Sequence, residues 1–280
     1  MKHVYIHIPF CKNICSYCDF CKMYHLPKFT ENYFEALKKE VEDSYMDELI
    51  STIYIGGGTP SCLTNEELDK LFNIVSIFKK STDCEFTFEC NPEDISEELI
   101  TYLIKNGINR LSIGVESFNK ENLEFMERKM EYKDLEEKLN MIRAKGINNI
   151  NLDLIYALPN ESLDTLKKDV KKLLKLNPEH ISTYSLIIEE DTKLKLNNTS
   201  YIDEELDAKM YDYICSKLKK NYTHYEVSNF AKEGFESKHN MAYWLNEEYY
   251  GFGLGASGYI NGFRYENTHN LNDYLEGEYH

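Results

Sequence analysis

Ile8-Pro9-Phe10-Cys11-Lys12-Asn13-Ile14-Cys15-Ser16-Tyr17-Cys18 sets three thiols close together directly after a short β-rich run. Pro9 ends that run and lets the chain wrap. A cubane iron–sulfur cluster needs thiolates converging on one small object from different directions. A CxxxCxxC loop on Cys11, Cys15 and Cys18 can wrap a [4Fe-4S] cluster while its fourth iron stays without a cysteine. That open iron is a site for an external chelating ligand. Zinc prefers paired CxxC elements and four ligands, and no separate CxxC or HxxxH pair follows farther along the chain. Cys21, on the exit of the loop, reads as a non-ligand, while Cys62, Cys84, Cys90 and Cys215 are scattered singly and read as core or unused thiols.

Outward from the loop, β-rich runs alternate with longer helical patterns, the signature of βα units on a parallel sheet. The predicted strands are residues 4–8, 52–55, 85–89, 110–115, 150–155 and 180–186. Thr64 and Glu67 form a capping box that opens a helix from about residue 65 to 79. Gly107 and Gly146 sit where a helix ends in a left-handed residue just before the next strand. Six βα units form either an open doubly wound sheet or a partial barrel, and both place ligand-binding residues at the carboxyl ends of the strands. The pattern changes near Asn197-Asn198, which divides the chain into residues 1–197 and an extension, 198–280. That extension begins with a helix over residues 203–219.

Composition narrows the function. With 42% hydrophobic and 29% charged residues and no low-complexity tract, the chain reads as globular. The formal net charge of −16, without a basic patch, argues against a nucleic-acid partner. No run of about eighteen apolar residues and no signal core occur, so a cytoplasmic location is expected, where clustered cysteines suggest a metal rather than disulfides.

Gly56-Gly57-Gly58-Thr59-Pro60 follows the second strand, and glycine lets backbone approach a ligand closely. The cysteine loop followed by this turn resembles the radical S-adenosylmethionine superfamily. That resemblance implies a partial (β/α)6 barrel of the TIM type, with S-adenosylmethionine bound through its amino and carboxylate groups to the open iron. Carried over residue by residue, it puts Tyr5, Tyr17, Gly57, Gly58, Thr59, Glu89, Glu116, Arg128 and Asp153 around S-adenosylmethionine. Carboxylates at strand ends can meet ribose hydroxyls, and an arginine can pair with a ligand carboxylate.

Three further phrases, Tyr5-Ile6-His7-Ile8-Pro9-Phe10-Cys11, Gly114-Val115-Glu116-Ser117-Phe118 and Asp153-Leu154-Ile155-Tyr156-Ala157-Leu158-Pro159, are similar to the branch of oxygen-independent coproporphyrinogen III oxidase and the HemW-like heme chaperones. The oxidase loop has an extra cysteine where this chain has Phe20. His239-Asn240-Met241-Ala242-Tyr243-Trp244 matches the HNxxYW motif of the chaperones and contains the single tryptophan. The resemblance therefore implies a heme-related role for His239, Asn240, Tyr243 and Trp244, in which a neutral histidine nitrogen can ligate heme iron and the aromatics can cover a porphyrin face. Chaperones of this kind run on well past Tyr279-His280, so their C-terminal domain is expected to be missing here. The function implied is delivery of heme to acceptor hemoproteins, membrane-associated respiratory proteins among them, with an electron donor required if the cluster is redox active. The competing readings are coproporphyrinogen III oxidation or a related radical reaction on a tetrapyrrole, and a non-catalytic iron–sulfur module.

Overall fold

In a computed structural model, which describes residues 1–280, the predicted alternation becomes one eleven-stranded sheet. Its centre is six parallel strands: β1 (Lys2–Ile8), β2 (Leu49–Gly57), β3 (Lys79–Cys90), β4 (Arg110–Glu116), β5 (Asn149–Tyr156) and β6 (His180–Ser185). Helices α1 (Pro27–Ser44), α2 (Asn65–Val75), α3 (Glu97–Lys105), α4 (Lys120–Phe125), α5 (Tyr132–Ala144) and α6 (Leu163–Leu176) return the chain between them.

Side chains alternate across a strand, and here the alternation separates core from site. Ile6 and Ile8, Ile53 and Ile55, Phe86 and Phe88, Leu111 and Ile113, and Ile150 and Leu152 are buried in one contiguous apolar core with the helices. The intervening residues, from Tyr54 through Glu89, Ser112 and Asp153 to Ser182, line a single cavity. Five strands, β2 to β6, whose alternate residues share one cavity form a curled sheet, so the partial barrel, not the open sheet, is the architecture.

Local chemistry explains the punctuation. The Thr64 side chain accepts from the Glu67 amide at 3.3 Å while Glu67 accepts from the Thr64 amide at 2.8 Å. Gly107 and Gly146 take φ of +91° and +108°. Helix α2 stops at Val75, short of the predicted Lys79, because Lys79 already pairs with Leu49 as the start of β3.

Residues 198–280 supply strands to both edges of the same sheet. After α7 (Lys193–Leu196) and α8 (Glu204–Leu218), β7 (Thr223–His224) and β8 (Asn229–Ala231) run antiparallel on the β6 side. Following α9 (Lys238–Trp244), β9 (Tyr249–Phe252) pairs parallel with β1, and β10 (Ser257–Ile260) and β11 (Phe263–Glu266) continue outward before α10 (Leu271–Glu276). An incomplete barrel leaves two rows of unpaired backbone groups, and these segments cover both. No helix is long and apolar enough to cross a membrane.

Candidate functional site

The cavity has a volume of about 380 Å³ and runs through the barrel. Cys11, Cys15, Tyr17 and Cys18 line the end formed by the carboxyl ends of the strands; Asn240 of α9 lines the other. The cysteine loop is held by backbone: the Met23 amide donates to Pro9 O at 2.7 Å, His25 to Cys11 O at 2.9 Å, and Thr59 to Phe10 O at 2.8 Å. Thr59 Oγ1 lies 3.4 Å from Cys11 Sγ, and Arg128 Nη1 lies 3.8 Å from Cys15 Sγ. A Cβ on Gly58 would stand 2.9 Å from Cys11 Sγ and from Phe10 O, so only glycine lets the second strand's turn close on the loop.

All three thiols are pushed up by burial, Cys18 to about 11. Such a thiol keeps its proton until a cation replaces it, which suits a ligand set completed by iron. The residues present fit a [4Fe-4S] cluster: three thiols on one loop, donors beside Cys11 and Cys15, and an adjoining turn stripped of side chains. Cys21 is outside the cavity lining; its carbonyl accepts from His7 Nε2 at 2.7 Å.

Along the cavity the strands present carboxylates. Glu89 accepts from the Tyr54 hydroxyl at 2.7 Å and from the Gly57 amide at 3.0 Å, yet burial, reinforced by Asp153, holds it up at about 7. Glu116 is raised to about 7 by burial, against the pull of Arg128 and with Asp153 adding to the rise. Asp153 is raised for the same reason and accepts from Asn151 at 2.7 Å. Glu116 also takes the left-handed φ of +66°, at a register shift beside Gly114. A Cβ on Gly114 would meet Glu116 Oε1 at 2.7 Å and Arg128 Nη2 at 3.4 Å, so this glycine gives both side chains room. Arg128 donates to Asn91 Oδ1 at 2.8 Å and to the Gly114 carbonyl. Three buried carboxyl groups whose ionisation burial opposes form a site at which a cationic ligand would favour the charged form.

The structure therefore gathers Cys11, Cys15, Tyr17, Cys18, Gly57, Gly58, Thr59, Glu89, Glu116, Arg128 and Asp153 around one space. Tyr5 stands one layer back, its hydroxyl donating to His7 Nδ1 at 2.9 Å and its ring 6.1 Å from that of Tyr54. The HNxxYW residues separate. Asn240 faces the cavity, but His239 is 1% exposed, with Nδ1 bonded to Thr52 Oγ1 at 2.7 Å and Nε2 to the Tyr243 hydroxyl at 2.7 Å. It sits at the amino ends of the strands, opposite the cysteine loop, and ligating iron would cost it one of these bonds. Tyr243 and Trp244 reach the surface, Trp244 with 57% of its area exposed. Glu85 of β3 fixes α9 by accepting from the His239 and Lys238 amides, each at 3.1 Å, so the helix plugs the barrel floor.

Sequence reasoning passed over Arg110, Ser112, Asn151 and Ser182, which also line the cavity. The signal was available as period-two polarity: Arg110, Ser112, Gly114 and Glu116 alternate with Leu111, Ile113 and Val115.

Compared with known proteins, residues 5–173 match the radical SAM superfamily model. The chain is 43% identical to a protein named heme chaperone HemW from Lactococcus lactis over 97% of its own length and 73% of that protein's. It is 41% identical to the Bacillus subtilis protein of the same name, over 99% and 76%. Its fold matches the radical SAM enzyme coproporphyrinogen III oxidase (HemN) of Escherichia coli with a TM-score of 0.86 at 23% identity, covering 98% of this chain and 68% of that one.

Proposed function

The chain belongs to the radical SAM superfamily and, within it, to the family of the heme chaperone HemW, and from that premise we propose that it binds heme and delivers it to acceptor hemoproteins. What supports this most is one cavity in which a three-thiol loop, bare Gly57–Gly58 backbone and three buried carboxylates meet. Cys11, Cys15 and Cys18 hold the [4Fe-4S] cluster. Glu89, Glu116 and Asp153 offer negative charge and acceptors to the sulfonium and ribose of S-adenosylmethionine, while Arg128 meets its carboxylate and Tyr17 covers it. When bound and reduced, a cluster on Cys11, Cys15 and Cys18 would supply one electron to that cofactor, for which an electron donor is needed.

Heme contact falls to the exposed face of α9, where Tyr243 and Trp244 offer stacking area. His239 holds the Tyr243 hydroxyl rather than iron, and Asn240 links the helix to the cavity. Acceptors include membrane-associated respiratory proteins. Anaerobically reconstituted protein titrated with heme, mixed with an apo-hemoprotein and assayed for coproporphyrinogen III turnover decides the matter. Heme binding and transfer without turnover is the expected result; turnover without heme binding makes the protein a tetrapyrrole oxidase.

A further inference from the structure

Arg110 and Arg128 are two of only four arginines in the chain, and both are buried and line the cavity. Arg128 is held near the cysteine loop by hydrogen bonds to Asn91 and to the Gly114 carbonyl. Arg110, 1% exposed, is not: its Nη1 reaches Thr87 Oγ1 at 3.5 Å, its Nε has no partner, and it forms no ion pair. It lies at the start of β4, four residues before Gly114, which is roughly 13 Å of strand rise from the level where Arg128 binds.

Its neighbours satisfy one another instead. Asn151 donates to Ser112 Oγ at 2.8 Å and to Asp153 Oδ1 at 2.7 Å, and its Oδ1 accepts from Ser182 at 3.1 Å and pairs with His180 Nδ1 at 2.6 Å. The guanidinium is thus left with free donors on a polar cavity floor. A buried cation in a low-dielectric site is tolerated when an anion meets it, and the planar fork of arginine matches a carboxylate with two parallel hydrogen bonds.

We propose that Arg110 is the recognition residue of an anion subsite on the cavity floor, which takes the carboxylate of a second ligand bound beneath S-adenosylmethionine. This rests on the assignment of the upper cavity to that cofactor, whose own carboxylate belongs at the open iron. The ligand class is an alkyl carboxylate, such as a propionate arm. The cavity then has opposite polarities at two depths, carboxylates for a cation above and a guanidinium for an anion below.

The test uses the anaerobically reconstituted protein labelled with ¹⁵N-arginine, in which four side-chain Nε signals are expected. Arg110→Lys assigns the signal; if that variant does not fold, Arg128→Lys, Arg143→Lys and Arg264→Lys assign it by elimination. Sodium propionate, but not sodium chloride at equal concentration, should shift the Arg110 signal saturably, with and without saturating S-adenosylmethionine. Asn240→Ala, at the same floor, should weaken propionate binding roughly tenfold, the order expected for one hydrogen bond to a charged group. An Arg110 signal indifferent to propionate overturns the subsite. A response abolished by S-adenosylmethionine overturns the second ligand and gives the subsite to the cofactor's own carboxylate. Whether S-adenosylmethionine perturbs the cluster's paramagnetic resonance spectrum is read separately, so failure of the cofactor assignment is distinguishable from failure of Arg110.

Discussion

Glu89 and Glu116 each hold a proton below about pH 7 because burial disfavours their charge. A cationic ligand favours the ionised carboxylate, so binding releases protons, and affinity for S-adenosylmethionine should rise with pH up to about 7 and level above it. One such group gives about tenfold per pH unit on the acid side. Isothermal titration at several pH values checks this, and Glu89→Gln should flatten the slope. For the ligand-free protein the sign is opposite: a carboxyl raised from 4.5 to about 7 stabilises the fold in acid, and that contribution is lost as pH rises between those values. Alanine at Cys11, Cys15 or Cys18 should abolish the four-iron content of the reconstituted protein, while Cys21→Ala should leave it intact. The thiol set is legible in the sequence because its spacing is local. Arg110 is not, because its meaning lies in partners that never arrive, and these are known only once strand register is fixed.

At the scale of elements, the glycine turn and the α9 plug carry the sharpest expectations. Gly58→Ala sets a methyl against Cys11 Sγ and against backbone of Phe10 and Pro9, which cannot swing aside. Iron and sulfide analysis after reconstitution should show markedly reduced cluster loading in a protein that still folds. Thr64→Ala removes one half of the α2 capping box and should cost about 1 kcal/mol in denaturant titration, with cluster content unchanged. His239→Ala strips partners from Thr52 and Tyr243 and opens a void, for a loss of roughly 2–4 kcal/mol. Its heme spectrum should keep the wild-type axial features, whereas Trp244→Ala should lower heme affinity; absorbance titration of both variants separates support from contact. The HNxxYW motif was legible as a unit, but not its placement. His239, Asn240, Tyr243 and Trp244, close in sequence, point to different places once a helix winds them, one inward to Thr52, one to the cavity, two to the surface.

In the whole molecule, six parallel strands could be anticipated from alternation and their barrel order from the family resemblance, yet the return of the last segment could not, because a parallel pairing leaves no short-range turn signal. Strand β1 has β2 on one side and β9 on the other, with His3 opposite Tyr249 and Ile6 opposite Phe252. Strand β1 is therefore completed by a strand far downstream in the chain. Long loop closure must precede that contact, which makes it slow. Until Tyr249–Phe252 emerges, one edge of β1 offers open backbone to any passing strand. Nascent chains stalled before Tyr249 should stay protease-sensitive near the N-terminus, and those stalled well past Phe252 should not. The strand that leads into the cysteine loop thus waits for its neighbour while most of this stretch is translated, and a secure seat for iron on the barrel comes only once Tyr249–Phe252 has emerged.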